Sequence, residues 1–219
     1  MNIKQNTGVI LALDLTEEKP AINLVKEIWD DLDAIKVGLP LVLNCGLDIV
    51  KKLKSIVDIP IIADFKIMDY SLIAVKTVET AIDAGYDAVV VCGACGPTVI
   101  SRCVKAANDK KVFVLVEFTH RDGLLDPNIA NLSARLAKEL GAYGIFAPGT
   151  KPERIKELRN IVGDLIIACC GIGAQGPKPG SGIKAGADFE IIGRAIYEAD
   201  NSKSTIKQIV EEMGLRNDY

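Results

Sequence analysis

Charged side chains interrupt or end several of the apolar runs in this sequence. Asp14 ends Leu-Ala-Leu-Asp, and Lys36 lies within Ala-Ile-Lys-Val-Gly. Asp64, Lys66 and Asp69 follow in one short stretch, Asp-Phe-Lys-Ile-Met-Asp. Because a charged group in a buried strand is costly unless it is paired, we expect these carboxylates and ammonium groups to contact one another. Such an array can provide acid–base catalysis, or it can be a purely structural network of ion pairs.

Two glycine-containing segments near the carboxyl end of the chain could bind an anion. Gly-Ile-Gly-Ala-Gln-Gly occupies 171–176, and Gly193-Arg194 follows the last apolar run. Backbone N–H groups that glycine leaves accessible, together with an arginine side chain, favour a phosphate group. We therefore predict that these two segments bind the phosphate of a small molecule.

Eight short apolar runs alternate with longer amphipathic segments. The folded arrangement of these runs must position the charged side chains and the glycine segments. Each run is nearly continuously apolar, as expected for parallel strands covered on both faces. The runs are Val9–Leu13, Ala34–Val37, Ile59–Ala63, Ala88–Val91, Val112–Val116, Gly144–Ala147, Leu165–Ala168 and Phe189–Ile192. This order predicts an α/β protein with a single parallel (β/α)8 TIM barrel over residues 1–219; a doubly wound open sheet is the alternative.

The predicted barrel places the charged residues at the ends of its strands. Strand alternation places Asp64 and Lys66 on the same face, and the third strand is expected to end at Asp64. The residues that end barrel strands lie at the rim where such folds carry their chemistry, which favours a catalytic role over a purely structural one.

The composition limits the classes of partner. A net charge of −3 gives no general attraction to nucleic acid or to anionic lipid. The longest apolar run is too short to span a bilayer, and residues 1–8 lack the apolar segment of a secretion signal. We therefore expect a cytoplasmic protein that acts on a small molecule, without a nucleic-acid or membrane partner.

Cys92 and Cys95 form a Cys-x-x-Cys motif, one of the few hints of metal or redox chemistry. That spacing suits a redox pair or half of a zinc site. However, the sequence has one histidine, His120, and no second cysteine pair at this spacing. We favour reduced thiols that pack as small apolar groups, and we predict no metal ligand and no cofactor.

From Leu-Ala-Leu-Asp at 11–14 to Ile-Ile-Gly-Arg-Ala-Ile-Tyr at 191–197, the chain resembles the orotidine 5′-monophosphate decarboxylases of the short archaeal type. The most specific part is Asp64-x-Lys66-x-x-Asp69, supported by Lys36 and the two glycine segments. The resemblance implies a cofactor-free decarboxylation of orotidine 5′-monophosphate, which gives uridine 5′-monophosphate and CO2 in de novo pyrimidine synthesis.

The resemblance also implies roles for the charged residues. Lys66 would protonate C6 of the pyrimidine, and Asp64 would lie near the substrate carboxylate. Lys36 and Asp14 would hold the ribose hydroxyls. Asp69 would cross the interface of a homodimer and complete the array of the partner.

Other residues would bind the ends of the substrate. Thr119 takes the position of a serine that contacts the pyrimidine ring. Gln175 and Arg194, with Gly193, would bind the 5′-phosphate, and residues 176–182 would close as a lid. The chain departs from the family pattern at 70–73, where Tyr-Ser-Leu-Ile replaces Ile-Pro-x-Thr, and at Cys170, where a proline is usual.

Two other functions remain open. Hexulose-phosphate synthases and keto-gulonate-phosphate decarboxylases are similar barrels that use Mg2+ with an acidic ligand on the second strand. Here that position is Lys36, which would repel a divalent cation. A barrel that binds a nucleotide without catalysis is the second alternative, because fold alone does not determine function.

Overall fold

The structure is a computed structural model, which describes residues 2–173 and 176–215. Within these residues, eight parallel strands close into a barrel in which β1 pairs with β2 and, on its other side, with β8. The strands are β1 Val9–Leu13, β2 Ala34–Gly38, β3 Ile61–Ile67, β4 Ala88–Cys92, β5 Lys111–Leu115, β6 Gly144–Pro148, β7 Ile166–Cys170 and β8 Phe189–Ile192. The predicted (β/α)8 barrel is confirmed, and the open sheet is wrong.

Helices connect the strands and cover the outside of the barrel. They are α1 Glu18–Ile28, α2 Leu39–Cys45, α3 Ile49–Lys54, α4 Ser71–Ala84, α5 Gly96–Ala106, α6 Pro127–Glu139, α7 Pro152–Val162, α8 Ser181–Lys184, α9 Arg194–Tyr197 and α10 Ser202–Met213. Pro127 and Pro152 each begin a helix, where the missing N–H of proline has no cost. None of the helices in the described part of the chain is long and apolar enough to cross a membrane.

The strands bury side chains on both faces, which explains why the apolar runs are continuous. Ile10, Phe113, Phe146 and Phe189 belong to one buried cluster that fills the barrel. The alternate strand residues join a second, larger cluster with the apolar sides of the helices. Burial of each such side chain stabilises the fold by about 1.5–3 kcal/mol.

The third strand differs from the prediction, because it continues past Asp64 to Ile67. Its pairing with β4 shifts between Ala63 and Ile67, so this part of the strand is bulged. Lys66 has a positive φ of 45°, which is uncommon for a residue with a side chain. A bulge changes the direction of side chains at the end of a strand, and such bulges are frequent next to active sites.

The amino-terminal end of the barrel contains a buried carboxylate with a purely local role. Asp33 immediately precedes β2 and is almost fully buried. It accepts hydrogen bonds from the backbone N–H groups of Asn6, Thr7 and Gly8, the last at 2.7 Å. These bonds attach the first residues of the chain to the barrel at the end remote from the strand carboxyl termini.

Candidate active site

A cavity of about 220 Å3 opens at the carboxyl ends of the strands. Its walls come from the ends of β1, β2, β3, β7 and β8 and from the segment that follows β5. The structure brings together here most of the side chains predicted from the sequence: Asp14, Lys36, Asp64, Lys66, Thr119, Gly193 and Arg194.

Asp64 lies between two lysines at the bottom of this cavity. Its Oδ2 is 2.8 Å from Lys36 Nζ and 2.8 Å from Lys66 Nζ. Lys36 Nζ is also 3.3 Å from Asp14 Oδ1. The charges therefore alternate in the order Asp14, Lys36, Asp64, Lys66, as the sequence predicts. Lys36 and Asp64 are buried, whereas the side chain of Lys66 is half-exposed to the cavity.

The array keeps its buried members charged. Burial alone would lower the pKa of Lys36, but the carboxylates of Asp64 and Asp14 raise it above its usual value. Burial alone would raise the pKa of Asp64, but the ammonium groups of Lys36 and Lys66 hold it below its usual value. At neutral pH the two buried groups are thus an ammonium and a carboxylate.

The second oxygen of Asp64 is unusual. Asp64 Oδ1 is buried and has no hydrogen-bond partner within the described residues. Buried polar atoms are nearly always paired, and an exception in a cavity is typical of a functional group. Asp64 also lines the cavity, so its carboxylate places negative charge there beside Lys66.

Asp69 lies away from the array of its own chain. It is exposed, does not line the cavity, and its Oδ1 accepts a hydrogen bond from the N–H of Tyr70 at 2.7 Å. Its neighbours Met68, Tyr70 and Leu72 are exposed by 67%, 86% and 56%. Large apolar side chains clustered on a surface are typical of a protein–protein interface.

The predicted phosphate-binding segments meet at one side of the cavity. Arg194 begins α9 directly after Gly193, and both line the cavity together with Gly171 and Ile172. A Cβ at Gly193 would lie 3.1 Å from the Cβ of Ala12, so the close approach of this residue to β1 favours glycine here. Gln175, the other predicted phosphate ligand, lies outside the described residues.

Several residues of the site were not predicted from the sequence. Phe118 and Tyr197 line the cavity, and they are sequence neighbours of the predicted Thr119 and Arg194. Cys170, named above only as a departure from the family pattern, also lines it, and burial beside Asp64 raises the pKa of its thiol to about 12, so the thiol is neutral. Lys151 and Arg154 pair with Glu117 across more than 30 residues of sequence, a separation that no local pattern reveals.

The Cys-x-x-Cys motif lies outside the cavity lining. Cys92 ends β4 and is buried, and Cys95 Sγ donates to the carbonyl of Ile67 at 3.5 Å. Burial raises the pKa of both thiols, which disfavours the thiolate that a metal or redox centre needs. Among residues 2–173 and 176–215, no group of three or more His, Cys, Asp or Glu side chains could hold a metal ion.

Comparison with known sequences identifies the family of the chain. The orotidine 5′-phosphate decarboxylase / HUMPS family profile matches residues 7–209. The chain belongs to this family. The orotidine 5′-phosphate decarboxylase of Methanosarcina acetivorans is 41% identical over 224 residues, which cover 99% of this chain and all of the relative. That of Methanosarcina mazei is 42% identical over 215 residues, or 96% and 97% of the two chains.

Solved structures of the decarboxylase family share the fold. The orotidine 5′-monophosphate decarboxylase of Methanocaldococcus jannaschii, in complex with the inhibitor BMP, aligns with a TM-score of 0.89 and 34% identity. The alignment covers 96% of this chain and 99% of that one. The decarboxylase of Pyrococcus horikoshii aligns with a TM-score of 0.86 and 36% identity, over 94% and 99% of the chains.

Proposed function

We propose that this chain, as one catalytic domain, decarboxylates orotidine 5′-monophosphate to uridine 5′-monophosphate and CO2 without a cofactor, in pyrimidine synthesis. The observation that carries the proposal is the position of Asp64, buried 2.8 Å from both Lys36 and Lys66 in the cavity. The names of the family relatives agree with this activity. A cytoplasmic location stays a prediction.

The array provides the charge that the reaction needs. Breaking the bond between C6 and the carboxylate carbon releases CO2 and leaves an electron pair on C6. The ammonium group of Lys66 stabilises this developing negative charge and then donates a proton to C6. The neutral amine that results regains a proton from water.

Asp64 acts on the group that leaves. Asp64 lines the cavity and would lie near the substrate carboxylate, and two like charges in a cavity repel each other. Repulsion disappears when the carboxylate becomes neutral CO2. Asp64 also pairs with Lys66 and thereby holds the acid in place.

The remaining residues orient the nucleotide. Lys36 and Asp14, which contact each other at 3.3 Å, would hold the ribose hydroxyls. Thr119 would contact the pyrimidine ring, while Arg194 and Gln175, with Gly193, would bind the 5′-phosphate. Contacts to the remote phosphate can close residues 176–182 over the substrate, so that binding energy increases the rate.

We propose that the active form is a homodimer in which Asp69 reaches the array of the partner. The exposed apolar side chains of Met68, Tyr70 and Leu72 support an interface beside Asp69. Each array would then alternate as Lys36, Asp64, Lys66 and the Asp69 carboxylate from the second copy. Residues 70–73 depart from the family pattern Ile-Pro-x-Thr, so we expect this part of the proposed interface to depart from the family pattern as well.

Lys36 distinguishes the proposal from the magnesium-dependent reading of the same fold. Its ammonium group is buried, and its pKa is raised, so it stays positive at the position where a metal-dependent relative would need a carboxylate ligand. Oxygen ligands for Mg2+ would have to be arranged around a fixed cation, which is electrostatically unfavourable.

The test measures turnover of orotidine 5′-monophosphate by the purified protein in excess chelator. Loss of the orotate absorbance, unaffected by the chelator, is the expected result. Turnover that appears only when Mg2+ is restored, particularly with a hexulose phosphate, would support the magnesium-dependent alternative. Tight binding of uridine 5′-monophosphate without any turnover would support a non-catalytic barrel.

A further inference from the structure

A buried ionic network lies beside the cavity, apart from the array of Asp64. Glu117 lines the cavity, although its side chain is only 2% exposed. Its Oε1 accepts a hydrogen bond from Lys151 Nζ at 2.8 Å, and its Oε2 accepts one from Arg154 Nε at 2.8 Å. Both carboxylate oxygens are therefore engaged, which leaves Glu117 poorly placed to act as an acid or a base.

The network continues into two helices. Arg154 Nη2 donates to Asn131 Oδ1 at 2.8 Å, and Arg154 Nη1 pairs with Glu157. Asn131 Nδ2 in turn donates to Glu157 Oε1 at 2.6 Å. The end of β5 is thus connected through one arginine to both α6 and α7.

Residues of the same region also contact the backbone beside and at Thr119. Lys151 Nζ lies 3.5 Å from the carbonyl oxygen of Phe118, and Thr150 Oγ1 donates to the carbonyl of Thr119 at 3.1 Å. The Phe118 ring also stacks on His120, with 5.0 Å between the ring centroids. Residues 150–154 therefore hold segment 117–119 at a side-chain carboxylate and at two carbonyls.

We propose that Glu117 is a positioning residue that acts through Lys151 and Arg154 to fix segment 117–119, and with it Thr119, against the pyrimidine ring. The inference rests on the proposed function, in which Thr119 contacts the ring. A buried ion pair adds little net stability compared with apolar packing, but a fully satisfied network restricts a segment to one geometry. Small displacements of a positioning group can lower catalytic rates greatly.

The test compares two ligands that differ by the pyrimidine ring. Uridine 5′-monophosphate and ribose 5-phosphate share the ribose and the phosphate, and only the first would contact Thr119. In Glu117→Gln, we expect the affinity for uridine 5′-monophosphate to fall about tenfold, or about 1.4 kcal/mol. The affinity for ribose 5-phosphate should change less than about twofold, because Arg194 and its surroundings are unaltered. Titration calorimetry measures both.

Asp33→Asn is the matched control. It neutralises another buried carboxylate, at the opposite end of the barrel, whose partners are three backbone N–H groups. We expect it to lower the thermal midpoint while the ratio of the two affinities stays that of the parent protein. Lys151→Met provides a second test if Glu117→Gln does not fold. Lys151 is partly exposed, and its substitution removes only one of the two cations that pair with Glu117.

The outcomes separate this inference from the proposed function. A parent protein that binds uridine 5′-monophosphate no tighter than ribose 5-phosphate contradicts a pyrimidine site, and both proposals fail. A parent protein that prefers the nucleotide, with the same preference in Glu117→Gln and Lys151→Met, overturns the positioning role alone. Selective loss of the preference in these two variants, and not in Asp33→Asn, supports it.

Discussion

Removal of the Lys36 ammonium group tests the central electrostatic argument. Lys36→Met keeps a side chain of similar length and removes the charge that lies 2.8 Å from Asp64 Oδ2. Asp64 would retain Lys66 as a partner, but Lys66 is half-exposed, and its charge is therefore better screened by water. The variant should leave a buried carboxylate that is only partly compensated.

The geometry sets the size of the effect. Two unit charges 2.8 Å apart interact by about 6 kcal/mol at an effective dielectric constant of about 20, which is an upper limit for the pair. Breaking a buried pair by removing one partner destabilises a protein by about 3–5 kcal/mol. We expect a loss in this range, which lowers the thermal midpoint by roughly 6–20 °C for a chain of this size.

Urea denaturation of the single variant and of a double variant measures this loss. Lys36→Met with Asp64→Leu removes both charges, and replacement of a buried pair by apolar side chains is often neutral. The double variant should therefore recover most of the stability that Lys36→Met loses, with an unchanged dependence on urea concentration. A loss below about 1 kcal/mol in the single variant, or no recovery in the double variant, would refute the reasoning.

Further predictions concern the acid, the interface and the ribose site. Lys66→Ala should abolish turnover while ribose 5-phosphate still binds; retained turnover would show that another group protonates C6. Mixed Lys66→Ala and Asp69→Ala subunits should regain activity, since a heterodimer contains one complete array, and homodimers of either variant serve as controls. Burial raises the pKa of Asp64, but the ammonium groups of Lys36 and Lys66 lower this pKa more. The stabilising contribution of the Asp64 carboxylate is therefore complete above the unfolded-state pKa of about 4, and it is lost as the pH falls towards the folded-state pKa. In urea denaturation, Asp64→Asn should reduce this loss of stability as the pH falls below about 4. Gly38→Ala places a Cβ against Asp14 Oδ1, which should displace Asp14 from Lys36 and raise KM for the nucleotide by about tenfold; an unchanged KM would show that Asp14 does not hold the ribose.

The barrel and most of the cavity were predictable because their signals are local. Runs such as Val9–Leu13 are short and apolar at every position, as a parallel strand covered on both faces requires. Asp14, Lys36 and Arg194 follow or interrupt such runs, and the carboxyl ends of parallel strands meet at one rim. The order of the strands in the closed barrel follows from these elements and from the short connections between them.

The remaining features depend on contacts between distant residues. The pairing of Glu117 with Lys151 and Arg154 joins residues that no periodic pattern relates. The length of β3 was underestimated because the polar residues after Ala63 are typical of a strand end, whereas a bulge keeps Ile67 paired with Val91. Met68, Tyr70 and Leu72 adjoin Asp69 in the sequence, but their exposure is a property of the folded surface, which a linear pattern does not show.

The backbone of Lys66 has a consequence for the balance between stability and activity. A φ of 45° is unfavourable for any residue with a Cβ, at roughly 1–2 kcal/mol, and is free of strain for glycine. Glycine at position 66 would thus make a more stable protein than alanine would, but it would lack the proposed acid. A lysine that serves as this acid therefore carries a backbone cost that glycine would not. A designer who transfers Asp64 and Lys66 to another barrel would need the bulged backbone of residues 63–67 as well as the two side chains.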